Sequence, residues 1–311
     1  MITEKTESKE KDMEVEKVDL SIFSIDDYLL VARDDLFPNF LGGNKARKML
    51  NLVPEIEKNN FNAIVTTGGI QSNHCRVVAL ACAARGWKCK LILHGSHKRF
   101  LAEKGNALIM RLADAQLEFV NPDQIGPAMD MSMNEFRNEG LNPFYLNGGG
   151  HNQHGVKAYI DAVQELKNSL PPGSQIKNIF LASGTGSTQA GIMAGCAEAG
   201  WSDTKVHGIS IGRKKESGIR SVKEALGFVN PGQEKDFNEI LFHDDFLLGG
   251  YGSSDSKLHN FLIFLANKTG LILDETYTGK AFWGMINLIK KYNLEGINLF
   301  WHTGGLLNLM A

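Results

Sequence analysis

Along most of this chain, short β-branched or apolar runs alternate with longer stretches of helical periodicity. That alternation restricts the fold more than any other feature. Strands joined through helices pair in parallel by crossovers, and such sheets need helices over both faces. The strand runs of the first half are DYLLVARDD, NAIVTTGG (62–69), KCKLILHG (88–95), QLEFV (116–120) and PFYLNGG (143–149). In the second half they are KNIFLASG (177–184), KVHGISIG (205–212), TGLIL (269–273) and GINLFWHTGG (296–305). Between them, ARKMLNLVPEIEKN, NHCRVVALACAARG, GNALIMRLAD, VKAYIDAVQELKN, STQAGIMAGCAEAG, SVKEALGF and GKAFWGMINLIKKY predict helices. At 311 residues the chain is long enough for one large or two ordinary α/β domains with substantial cores.

Composition removes several functional classes. A hydrophobic content of 43% with 22% charged residues is that of a soluble globular protein. The net charge of -2 leaves no footprint for nucleic acid or acidic lipid. No apolar run approaches the roughly 20 residues that span a bilayer. Residues 1–18 are read as a solvated, disordered tail, too acidic for a transit peptide and without a signal's apolar core. The cysteines, Cys75, Cys82, Cys89 and Cys196, form no CxxC pair, and Cys89 falls beyond Gly86 in the next strand. Buried free thiols in a reducing cytoplasm are expected, with no metal site.

The chemistry gathers at a few turns. ASGTGSTQAG (182–191) follows a strand and opens a small-residue helix. Its glycines admit an anion close to the backbone, and Ser183, Thr185, Ser187 and Thr188 add hydroxyl donors. It is neither GxGxxG nor a Walker loop, so neutral donors suit a cofactor monophosphate better than a triphosphate with magnesium. In LGGNKARK (41–48), Lys45 and Lys48 stand three apart at a helix start and share a face. One can supply the counter-cation for the anion, and the other can act as an amine nucleophile on a carbonyl. TTGGIQSN ends a strand in a capped glycine turn, a second seat for a carboxylate or phosphate. Tyr277 in TYTGKA lies at a strand-to-helix turn, and Thr303 in WHTGG lies at a strand's C-terminal end, where open α/β sheets bind ligands. Ser72 and His74 stand two apart without a GxSxG elbow, which argues against a serine hydrolase. His151 and His154 in GGGHNQHG lack a partner cluster and are read as loop residues.

In order, RDDL, GGNKARK, TTGGIQSNH, GGG, ASGTGSTQAG, YTGKA and HTGG resemble the pyridoxal-phosphate enzymes of the D-cysteine desulfhydrase and 1-aminocyclopropane-1-carboxylate deaminase family. The resemblance runs from about residue 31 to the end. It implies the fold-type II architecture: two open three-layer α/β/α domains with mostly parallel twisted sheets, a small one over 47–155 and a large one from 19–46 plus 156–311. It implies a homodimer, and pyridoxal 5'-phosphate as cofactor. Lys45 then matches the lysine bonded to the cofactor's carbonyl, Lys48 a helper at its phosphate, and Gly184, Thr185, Gly186, Ser187 and Thr188 the phosphate loop. Asn73 matches the residue beside the cofactor's 3-oxygen, and Thr303 the partner of its pyridine nitrogen. Ser72, Tyr277 and Tyr251 (in GGYGSSD) match catalytic positions, with Ser72, Asn73, His74, Tyr251, Tyr277 and Thr278 around the substrate.

A threonine, unlike an aspartate, cannot hold the pyridine nitrogen protonated, so the resemblance implies a moderated electron sink and loss of a β-substituent rather than transamination. Relatives that open the cyclopropane ring have a carboxylate after the tyrosine. Thr278 therefore favours D-cysteine as substrate, with pyruvate, hydrogen sulfide and ammonia as products. The alternatives are the cyclopropane deaminase reaction, elimination or β-replacement on another substrate such as L-cysteate or diaminopropionate, and a non-catalytic small-molecule-binding protein on the same scaffold. The chain departs from the family pattern at DETYTGKA (for DPVYTGKA), at GGGHNQHG, in LLNL after HTGG, and before RDDL.

Overall fold

The computed structural model describes residues 12–25, 27–229 and 239–311. In chain order the elements are β1 (Val15–Asp19), β2 (Tyr28–Ala32), α1 (Asn44–Lys58), β3 (Ala63–Gly69), α2 (Asn73–Arg85), β4 (Lys88–His94), α3 (His97–Ala102), α4 (Gly105–Leu112), β5 (Gln116–Phe119), α5 (Ile125–Asn138) and β6 (Pro143–Leu146). They continue as α6 (Gln153–Ser169), β7 (Ile176–Ser183), α7 (Ser187–Glu198), β8 (Lys205–Ser210), α8 (Lys215–Gly227), β9 (Leu241–His243), α9 (Ser256–Thr269), α10 (Thr278–Tyr292) and β10 (Ile297–Trp301).

Among the described residues the strands form a six-stranded sheet, ordered β1-β2-β10-β7-β8-β9, and a four-stranded sheet, ordered β5-β4-β3-β6. All ladders are parallel except the β1–β2 edge pair. Each sheet is covered on both faces. On the larger, Leu299 and Trp301 of β10 join the α6–α8 side with Tyr159, Ile192 and Val222. Phe300, between them, points to the α9–α10 side with Leu265, Phe282 and Met285, as the period-two alternation of a strand requires. The smaller sheet packs α1, α2 and α4 on one face through Met49, Val78 and Met110. Its other face packs α5 through Met129, Met133 and Phe136. This is the expected α/β class with two three-layer units.

Several features differ from the sequence reading, and α3 and β9 are among the elements it did not anticipate. The expected tail over 1–18 ends early: residues 1–11 lie outside the described residues, but Val15–Asp19 is a strand antiparallel to β2. Its charges sit on an edge strand, where they oppose unwanted pairing, while Val18 is buried. TGLIL is not a strand. Gly270 caps α9 at φ 74°, and the following chain buries Leu271 and Leu273 without a ladder. Its polar groups go instead to side chains: Leu271 N donates to Thr269 Oγ1 (3.1 Å), Ile272 O pairs with His302 Nε2 (3.1 Å), and Asp274 N donates to Thr278 Oγ1 (3.2 Å). Helices α5 and α9 were not anticipated; α5 carries Gly126 and Pro127 in its first turn, where a proline costs no helix hydrogen bond. Finally, the boundary expected between 46 and 47 falls inside α1.

α1 is locked to the rest of the protein by a buried polar group. Arg47 Nε donates to Asp34 Oδ1 (2.8 Å), and its Nη1 reaches both oxygens of Glu165 on α6 (2.8 Å each). Tyr159 donates to the other oxygen of Asp34. Removing one partner leaves the others buried and unpaired. Arg47→Met should therefore cost about 3–5 kcal/mol of stability, read as a lower denaturant midpoint. A loss under about 1 kcal/mol, the scale of an exposed pair, would show that the network does not hold α1.

Candidate active site

The turn before Lys45 is a run of left-handed residues: Asn39, Phe40, Leu41, Gly42 and Gly43 have φ of 78°, 46°, 63°, 72° and 83°. Side chains with a Cβ adopt that region at a cost. The run is held by Gly42 N to Asn39 O (2.9 Å) and Gly43 N to Asp34 O (3.0 Å). The buried Arg76 guanidinium of α2 donates to Phe40 O. A Cβ on Gly43 would come within 2.8 Å of Thr303 O, so glycine is needed where the GGNK turn crosses the HTGG turn. Asn44 then donates from its backbone to Thr303 O (3.0 Å) and from its side chain to Thr188 Oγ1 (3.2 Å). One residue before Lys45, the chain is thus tied to the end of β10 and to the start of α7.

Lys45 Nζ donates to Gly149 O (3.2 Å), and Lys48 Nζ to Ser187 Oγ (2.8 Å). Both line one cavity with His74, Leu146, Gly150 and Asn152. Among the described residues neither lysine makes an ion pair. Burial pushes the Lys45 amine down to about 8. Burial first, and Lys45 second, push Lys48 well below the usual lysine range. Burial and both lysines push His74 down to about 3, so its imidazole is neutral. Its tautomer follows from its partner: Thr66 Oγ1 gives its proton to Leu146 O (2.7 Å), leaving His74 Nε2 as the donor toward Thr66 (2.8 Å).

The 184–188 loop closes this cluster. Gly186 takes φ +86°, and a Cβ there would meet Val222 N at 2.8 Å. Gly184 O accepts from Arg213 Nε (2.8 Å) and Thr185 O from Ser221 Oγ (3.1 Å), which ties two loop carbonyls to groups outside it. The first N–H groups of α7 have no partner within the helix and carry its positive end. Beside them stand the Ser187 and Thr188 hydroxyls and the Lys48 ammonium. Gly149, of GGG, packs on Thr185, where a Cβ would come within 2.9 Å of its Cγ2.

An amine beside an open helix start suits an anion, and the second amine is placed where it could meet a carbonyl. The family model of the pyridoxal-phosphate dependent enzymes matches residues 20–304 of the chain. The chain belongs to this family. It is 30% identical over 291 residues to the D-cysteine desulfhydrase of Klebsiella pneumoniae subsp. pneumoniae, covering 91% of this chain and 88% of that protein. Its fold matches the crystal structure of an ACC deaminase homologue with a TM-score of 0.84, at 26% identity, over 96% of this chain and 91% of that one. A hydrogen sulfide-producing enzyme from Fusobacterium nucleatum shares the fold at a TM-score of 0.65 and 15% identity, over 93% of each chain.

The residues of this pyridoxal-phosphate enzyme fit the cofactor. The unpaired Lys48, the hydroxyls and the α7 N–H groups suit its phosphate, and Lys45, with its lowered proton affinity, suits its carbonyl. Thr303 is buried at the end of β10, and among the described residues no side chain or backbone group bonds its hydroxyl. His302 fixes the turn around it, with Nε2 toward Ile272 O and Nδ1 accepting from Gly304 N (3.3 Å).

The other expected residues divide. Ser72 caps α2, accepting from Cys75 N (3.2 Å). Asn73 Oδ1 accepts from Asn106 Nδ2 (3.1 Å), which leaves the Asn73 amide N–H groups as donors. Asn106 also reaches Asn308 Oδ1 (2.9 Å), and Asn308 donates to Asp274 (3.4 Å). Tyr277 and Tyr251 share a hydrogen bond between their hydroxyls, with rings 5.9 Å apart. Thr278 does not join them: it is fully buried and gives its hydroxyl proton to Asp274 Oδ1 (2.7 Å). Asp274 also accepts from the N–H groups of Thr276, Tyr277 and Thr278 (3.0, 3.0 and 2.9 Å) and thereby shapes the turn that presents Tyr277. Burial pushes this carboxyl up, against those donors. His151 and His154 line a neighbouring cavity of about 320 Å³ with Glu55, Phe144 and Phe228, and Asn152 borders both cavities. Arg76 and His302 went unnoticed in the sequence because Phe40 O and Ile272 O are far along the chain, and Asp274 because its partners are mostly backbone N–H groups of the next turn. The Asp in DETYTGKA was the one available signal.

The Lys45 amine sets a pH test. An amine attacks a carbonyl only when unprotonated, so attachment of pyridoxal phosphate to cofactor-free protein should speed up with rising pH and reach half its limiting rate near 8. A midpoint above about 10, where an ordinary lysine titrates, would contradict this site.

Proposed function

We propose that the enzyme removes the β-substituent of a small amino acid, with D-cysteine the preferred substrate: D-cysteine and water give pyruvate, hydrogen sulfide and ammonia. The observation that carries this reading is the combination of a half-buried, readily deprotonated Lys45 with a hydroxyl, not a carboxylate, at Thr303. When bound, pyridoxal phosphate draws electron density from the substrate's Cα. Against a neutral Thr303 that pull is moderate, which favours departure of a β-group over reprotonation elsewhere.

Lys45 Nζ takes the Cα proton, because burial has lowered its proton affinity toward neutrality. Tyr277 stays protonated through burial, reinforced by Tyr251, and serves as a donor to the departing sulfur. Ser72 and the Asn73 amide, at the start of α2, offer donors to the substrate carboxylate beside that helix's positive end. Lys48 and the loop from Gly184 to Thr188 hold the phosphate end and fix the reacting end by leverage. The 30% identity to a D-cysteine desulfhydrase over nearly the full length supports the same reading.

A second reading, the deaminase reaction on 1-aminocyclopropane-1-carboxylate, has the structural match at a TM-score of 0.84 in its favour. Against it, Thr278 stands in place of a carboxylate. With its hydroxyl bound to Asp274, that residue acts on the substrate through the placement of Tyr277.

The test is product analysis on the purified holoenzyme. D-cysteine should yield pyruvate and sulfide in equal amounts, and L-cysteine should yield neither at a comparable rate. Release of 2-oxobutanoate from the cyclopropane substrate, with no sulfide from D-cysteine, would overturn the preference for D-cysteine.

A further inference from the structure

The segment between β9 and α9 carries Tyr251 on a backbone with little to hold it. Leu248, Gly249, Gly250 and Gly252 have φ of 52°, 95°, 126° and 73°, and Tyr251 itself is half-exposed. A loop of that kind samples many conformations unless it is tied down. Besides its own turn bonds, Gly250 N to Leu247 O (3.0 Å) and Ser253 N to Gly250 O (3.3 Å), the loop has two side-chain ties that come from the turn and helix presenting Tyr277.

The first is Lys280, in the opening turn of α10. It is completely buried, and its ammonium donates to Leu247 O (2.9 Å) and Gly250 O (2.7 Å). Holding two loop carbonyls is an expensive use of a charged side chain, because an ammonium loses its hydration on burial. The second is Glu275. Its carboxylate accepts from Ser254 Oγ and pairs with His259 Nδ1 at 2.7 Å. Glu275 is the residue that replaces proline in DETYTGKA, so this tie belongs to a departure from the family pattern. The two ties bracket Tyr251, and between them its hydroxyl meets that of Tyr277.

We propose that Lys280 and Glu275 are positioning residues that clamp the 247–254 loop and so hold the Tyr251 phenol against Tyr277 at the substrate end of the site. The proposal rests on the reading of the two tyrosines as substrate-facing. The clamp acts on substrate binding and orientation, and leaves the cofactor's own contacts, on α1 and α7, untouched.

The holoenzyme variants Glu275→Ala, Lys280→Met and Tyr251→Phe, singly and in pairs, test it. Glu275→Ala and Lys280→Met should each raise KM for D-cysteine roughly three- to tenfold, the scale of a lost hydrogen bond, with kcat changed less and the cofactor's visible absorption retained. In the Tyr251→Phe background neither should raise KM further. Amide exchange across 247–252 should accelerate in both, while β7 keeps its protection. Effects that multiply with Tyr251→Phe, or unaltered exchange of the loop, would overturn the clamp. The exchange measurement needs no turnover, so an enzyme inactive on D-cysteine but with a slowly exchanging loop that Glu275→Ala releases would refute the substrate and keep the clamp. If Lys280→Met also loses protection in β7, the surface variant Glu275→Ala decides alone.

Discussion

The site is built around two lysines set side by side, Lys48 buried and Lys45 half-buried, and among the described residues no carboxylate forms an ion pair with either. Lys45 and Lys48 share a helix turn and a cavity, their partners are a carbonyl and a hydroxyl, and both are pushed below the usual lysine range. Burial without a counter-charge is among the costlier arrangements a fold can contain. The neighbouring groups add little relief: Asp34 favours the charged Lys48 without bonding it, His74 is neutral, and the open end of α7 is itself positive. Such a cluster becomes favourable when a dianion occupies it, which is the role proposed above for the phosphate of pyridoxal phosphate.

The scaffold explains why the cluster survives folding. Arg47, between the two lysines in sequence, faces the opposite way and satisfies its own charge on Asp34 and Glu165. α1 is therefore anchored by a compensated cation, while among the described residues Lys45 and Lys48 on the same helix form no ion pair. The same division recurs at Asp274, a buried carboxylate used entirely on backbone and side-chain donors that shape the Tyr277 turn. Arg76 and Lys280 are also buried cations without a carboxylate, but each is used on backbone carbonyls; what sets Lys45 and Lys48 apart is that they stand side by side in one cavity.

Much of this was legible in the sequence because it is local. Parallel strands announce themselves as apolar runs, and the proposed phosphate loop as glycines and hydroxyls at a strand-to-helix turn. Lys45 and Lys48 could be singled out once Ser187 and Thr188 implied an anion. The failures share a cause. β1 hides among charges because an edge strand keeps them, and TGLIL has the burial of a strand but bonds to side chains from Thr269, Thr278 and His302. Thr278 was placed at the substrate from its position in a motif, whereas its hydroxyl is fixed by a buried aspartate four residues earlier. Direction of a side chain at a turn depends on tertiary partners that spacing does not encode.

Thermal stability of the cofactor-free protein tests the central claim most directly, with Lys48→Met as the probe, since methionine nearly fills the space without the charge. If Lys48 is an uncompensated buried cation, the variant without cofactor should melt above the parent, and in excess pyridoxal phosphate it should melt below it. A variant that melts lower in both states would show that Lys48 is paid for within the protein, and the argument for a phosphate at this site would fall.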